Sequence, residues 1–92
     1  MFDWDENNLR KIRKHRVSQS EAEEALLSDA ILVYEQYVAG ETRLFYYGET
    51  AAGRLLGVVV NEGRNKLRVV TAYDLGARQK REYLIRRFEG RY

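Results

Sequence analysis

Apolar positions in the first thirty residues recur at helical spacing, and from Ala30 onward the spacing shortens to two. Asp5 is placed to cap a first helix. Trp4 before it and Leu9 at the fourth helical position have the separation of a hydrophobic staple. Trp4, Leu9 and Ile12 are its apolar anchors, and Arg10, Lys11, Arg13 and Lys14 make its last turns cationic, which suits the negative end of a helix dipole. Ser18-Gln-Ser-Glu21 is a capping box opening a second helix, with Val17 and Ala22 repeating the staple. Ala22, Ala25 and Leu26 form the stripe expected to face a core, and Ser28-Asp29 ends the segment.

Four β-rich runs follow: 31–38, 43–48, 54–60 and 66–73. The breaks between them hold Gly40, Gly53 and Gly63 and are short enough for hairpins. Short connections force antiparallel neighbours, because a parallel crossover takes a dozen residues or more. The expected sheet is therefore a four-stranded antiparallel meander. From Leu75 to about Gly90 the helical period returns, with Asp74 as N-cap. Ala77, Leu84, Ile85 and Phe88 fall on one side, the side expected to pack on the sheet, and Arg81 stands among them. A buried unpaired guanidinium costs several kcal/mol, so Arg81 either snorkels out along its stem or enters a polar site. The expected fold is α+β in the order ααββββα, one domain over residues 1–92.

Composition sharpens this reading. Ninety-two residues with 45% hydrophobic and 33% charged side chains suit one small core. There is no cysteine, which fits a reducing compartment. The start MFDWDENN has no cationic and apolar leader pattern, and the longest apolar run, 55–60, is far too short to span a bilayer. A cytoplasmic protein is expected. The net charge of +2 is unevenly spread: residues 1–29 carry −2, residues 30–74 balance, and residues 75–92 carry +4. A basic terminal segment points to nucleic acid or an acidic protein, or simply to a solvated helix face.

Several chemistries drop out. One histidine and no cysteine cannot build a structural zinc site, and neither dinucleotide-binding nor phosphate-cradling glycine motifs occur. No cofactor and no metal are expected. Cations, tyrosines and one imidazole remain. Metal-free cleavage of an RNA phosphodiester needs a base for the 2′-hydroxyl, an acid for the 5′-oxygen and positive charge on the phosphorane. The candidates are Lys14, His15, Arg68, Tyr73, Arg81 and Tyr83 for catalysis, with Arg54, Arg64, Arg78 and Lys80 for holding RNA. Structural readings stand beside them. His15 can cap a helix, Tyr83 can be core, and Arg68, alternating with Leu67 and Val69, can lie on the solvent face of the sheet.

Trp4-Asp5-Glu6, Lys14-His15, Val17-Ser18 and Glu21-Ala22 are similar to the opening of the BrnT-type toxins. Arg43-Leu-Phe, Gly53-Arg-Leu-Leu-Gly-Val-Val-Val and Leu67-Arg-Val-Val-Thr-Ala resemble that family's later strands, and Lys80 and Tyr83 sit where an Arg-x-x-Tyr pair closes the pattern. The resemblance implies a RelE-like fold and a type II toxin that cleaves RNA and slows translation. It also implies a ribbon-helix-helix antitoxin of the BrnA type, with which the toxin would bind operator DNA. The chain departs from the pattern in places. Thr71-Ala72-Tyr73-Asp74 replaces Ser-Ala-Arg-Arg, Gln79 replaces Glu, and Arg16 replaces a Gly suited to a left-handed helix cap. The alternative is a non-catalytic relative that binds protein or nucleic acid on the same fold.

Overall fold

The computed structural model describes residues 2–63 and 66–89. A two-residue strand β1 (Phe2–Asp3) precedes helices α1 (Glu6–Lys14) and α2 (Gln19–Leu27). Four longer strands follow, β2 (Ile31–Val38), β3 (Glu41–Glu49), β4 (Leu55–Gly63) and β5 (Lys66–Asp74), and α3 (Ala77–Glu89) closes the order. The sheet runs β1-β5-β4-β3-β2. Its long strands form the expected antiparallel meander, but β1 adds a fifth strand parallel to β5, through Phe2 opposite Leu67 and Asp3 opposite Arg68. The sheet is therefore mixed, and the order ααββββα needs a leading strand. Two residues carry no readable period, and only the approach of the chain start to β5 makes them a strand.

The helix starts follow their caps. The Asn8 amide donates to Asp5 Oδ1 at 2.8 Å, and the Glu21 amide to Ser18 Oγ at 3.1 Å, while Glu21 Oε1 accepts from the Ser18 amide at 2.9 Å. Ile12, Val17, Ala22 and Ala25 bury against Leu56, Val58, Val60, Val69 and Ala72, with Trp4, Leu9 and Leu26 at the edge. A Cβ on Gly48 would land on the Ala25 carbonyl oxygen, so only glycine lets α2 come this close to β3.

A bulge on β5 decides which residues share a face. Val59 pairs with Thr71 but Val60 with Val69, leaving Val70 extra. Strict alternation would put Arg68 and Tyr73 on opposite faces. The bulge puts Arg68, Thr71 and Tyr73 on one face, opposite Asn61, Val59 and Gly57, and Val69 and Ala72 on the core face.

The remaining face meets α3 at one end only, where Tyr83 joins Leu75 and Tyr47 beside Ile31, Val33, Leu55 and Tyr73. This corrects the expected packing of α3. Its buried residue is Tyr83, flanked by half-buried Gln79 and Arg87. Leu84, Ile85 and Phe88 are 47%, 49% and 61% exposed. The expected N-cap is also corrected: Asp74 ends β5, and the Gly76 amide donates to Gln79 Oε1 at 3.0 Å as the helix opens. No helix among the described residues is long and apolar enough to cross a membrane.

Candidate active site

The end of α1, the start of α2, the start of β4 and the end of β5 meet at one corner of the molecule, and Arg54 ties them together. Its Nε donates to Asp74 Oδ1 at 2.7 Å and its Nη2 to Asp74 Oδ2 at 2.9 Å, the bidentate fork of an Arg–carboxylate pair. Nη1 donates to the Arg16 carbonyl at 2.8 Å and to both Glu21 oxygens at 3.1 Å, and Nη2 reaches the His15 carbonyl at 3.3 Å. All five guanidinium N–H groups thus have internal acceptors. Expected as an RNA-holding residue, Arg54 is instead spent on the fold of this corner. Its hydrogen bonds hold the Asp74 carboxyl below the ordinary range. Glu21 is lowered first by the Ser18 amide and then by Arg54.

His15 closes α1, its amide donating to the Ile12 carbonyl at 3.0 Å and the Arg16 amide to the Arg13 carbonyl at 3.0 Å. Arg16 follows in the left-handed region at φ 57°, the conformation a glycine adopts without strain. Its carbonyl is one that Arg54 grips. The turn aims the imidazole at β5, where the His15 and Tyr73 rings lie edge to face with centroids 6.3 Å apart.

Tyr73 lies across the glycine on the neighbouring strand. A Cβ on Gly57 would come within 2.6 Å of Tyr73 Cζ, so the bare backbone there is the bed of the ring. Burial pushes the Tyr73 phenol above its ordinary value of 10.0, and Tyr47 adds to this while a hydrogen bond with Gln79 opposes it. The phenol therefore holds its proton throughout the neutral range. Lys80, after Gln79 on α3, helps to keep Asp74 ionised.

Among the sequence candidates, the structure gathers His15, Tyr73 and Lys80, with Lys14 exposed on the last turn of α1 and Arg78 exposed at the start of α3. It does not gather the rest. Arg68 lies five positions back along β5, roughly 15 Å at strand rise, and pairs with Asp3 at 3.5 Å. Tyr83 is fully buried, its ring covered by the Arg87 guanidinium at 5.6 Å and its phenol raised chiefly by that burial. It is a core residue. Arg81 is exposed on the far side of α3, about 160° round the helix from Tyr83, so the polar-site alternative for it fails. Arg64 lies outside the described residues. Asp74 and Gln79 stood out in the sequence only as departures from the family pattern, and the structure makes both part of the corner. Gly57 was missed, although a lone glycine inside an apolar strand marks a close approach. Among the described residues no three His, Asp or Glu side chains stand together as metal ligands.

Fold and corner together define a small mixed α+β protein with an imidazole, a protonated phenol and a lysine brought together where two helices meet the sheet. The model of the family described as the ribonuclease toxin BrnT of type II toxin–antitoxin systems matches residues 4–80. The chain belongs to this family, and membership makes it a ribonuclease toxin with an antitoxin as partner and RNA as target. No curated protein matches the chain.

Proposed function

We propose that the chain is a metal-independent endoribonuclease whose proton-transfer pair is His15 and Tyr73, on a scaffold of the RelE type. The observation that carries this is the edge-to-face meeting of the two rings at the corner Arg54 braces. The roles follow from the chemistry. A phenol whose proton is held by burial donates to the leaving 5′-oxygen, which leaves the imidazole to take the proton of the attacking 2′-hydroxyl. One guanidinium between two carboxylates leaves the clamp net negative, so charge for the phosphorane comes from Lys80, Lys14 and Arg78 around it. The partner on this reading is a ribbon-helix-helix antitoxin of the BrnA type, and the pair binds operator DNA and represses its own transcription.

The test is cleavage of a synthetic RNA by the purified protein in EDTA, with the new ends mapped. A 2′,3′-cyclic phosphate is expected, and His15→Ala and Tyr73→Phe should each slow cleavage by about 10²–10⁴-fold with the melting temperature unchanged. A strict divalent-cation requirement, or both variants cleaving at the wild-type rate, defeats the assignment. No cleavage under any condition favours a binding module instead.

A further inference from the structure

Helix α3 is mounted with its polar side toward the protein and its apolar side toward solvent. Gln79, Tyr83 and Arg87 face inward. Ala77, Leu84, Ile85 and Phe88 form the stripe that an amphipathic helix ordinarily buries, and the last three are about half exposed or more. The inward side is already seated by Tyr83 in its cluster, and the Arg87 guanidinium donates to the Asp29 carbonyl at 3.4 Å. Rotating the stripe inward would require Tyr83 to leave the core. The stripe is thus available to a partner rather than to the sheet.

Its surroundings select that partner. Arg81 stands within the stripe and Arg78 borders it, and among the described residues neither forms an ion pair, whereas Arg86 is held by Glu82 at 3.2 Å. Residues 77–89 carry five Lys or Arg against two Asp or Glu. A second copy of the same helix would set like charges face to face. Against RNA the cations could meet phosphate and Phe88 a base, but Leu84 and Ile85, the other two exposed apolar side chains of the stripe, offer neither a π face nor a donor and would stay uncovered. A helix with its own apolar stripe and an acidic border satisfies both features in the helix-against-helix mode.

We infer that the outer face of α3, formed by Leu84, Ile85 and Phe88 with Arg81 among them and Arg78 at the border, docks an acidic amphipathic helix of the antitoxin. The inference rests on the toxin reading for the identity of that partner. Lys80 stands on the same helix between the stripe and Asp74, so a helix seated there lies beside the catalytic corner and obstructs RNA.

The experiment uses the toxin's cognate antitoxin, with affinity measured by calorimetry at two salt concentrations. Leu84→Ser with Phe88→Ser should weaken binding by at least about 30-fold. The free variant should keep the wild-type melting temperature and cleavage rate. Arg78→Glu with Arg81→Glu should also weaken binding and flatten its salt dependence. Antitoxin affinity within threefold of wild type for the serine variant overturns the inference. So does a free wild-type protein that sediments as a dimer which the serine variant disperses, because the occupant is then a second copy. If the wild type cleaves no RNA yet the affinity loss stands, the ribonuclease reading falls and the docking surface does not.

Discussion

The two faces of the sheet are built in opposite ways. On one, α1 and α2 turn their apolar stripes inward, and Ile12, Val17, Ala22 and Ala25 close over Leu56, Val58, Val60 and Val69. On the other, α3 touches the sheet at one end through a single fully buried tyrosine and turns its stripe outward. The first side puts its apolar surface into folding; the second leaves its own for binding. The difference teaches that an amphipathic pattern fixes which side of a helix seeks cover without fixing what covers it. The polar corner with His15 and Tyr73 lies on the seam, braced from the first side by Arg54 and reached from the second by Gln79 and Lys80.

The contrast breaks most directly under paired truncations. Leu56→Ala removes a fully buried side chain and should cost about 2–5 kcal/mol. Leu84→Ala on α3 should stay within about 0.5 kcal/mol in the free protein, as surface changes do. Urea unfolding of both variants decides this, and equal losses would mean that α3 packs as tightly as α1 and α2.

Gly57→Ala sharpens the contrast at the seam. The added methyl meets the far end of the Tyr73 ring, which can swing aside, so the fold should survive. The phenol would move off the corner, and a displacement of about 1 Å can cost roughly 10²-fold in rate. Cleavage assays beside thermal melts should show activity lost with stability kept. An active Gly57→Ala protein would remove Tyr73 from the mechanism.

The smallest expected effect is in acid. Asp74 and Glu21 sit below their ordinary values of 3.8 and 4.5. A carboxylate lowered in the folded state adds stability that is complete above its unfolded value and fades as pH falls toward the folded one. The α1–α2–β5 corner should therefore hold its full stability above about pH 4.5 and loosen below that. Arg54→Met should lose stability at neutral pH and converge on the wild type in acid. Melting curves from pH 7 to pH 2.5 check this, and a gap that stays constant with pH would show the clamp to be packing rather than charge.

Much of the fold lies in local pattern. The caps at Asp5 and Ser18 are written in residues that satisfy amides within one turn, and β2–β5 are written in alternation and short glycine-bearing breaks. The family is legible from motif order along the chain and is the one whose model matches. His15 as a helix end and Tyr83 as core were both readable as structural alternatives, and the structure takes both.

What sequence alone determined is therefore what neighbours along the chain can enforce: helix starts, strand runs, hairpin order and the excess of cations at the end. Only the tertiary structure decided which groups meet. The Val70 bulge shifts β5 by one residue and brings Arg68 and Tyr73 to one face, although period-two reading assigns them opposite faces. Arg54, 38 residues from Arg16, has no local signal for the carbonyls it binds. The orientation of α3 was beyond reach for the same reason. Its stripe marks an apolar side, but burying one tyrosine against Tyr47 and Leu75 fixes the helix rotation, and that contact exists only once the sheet has formed.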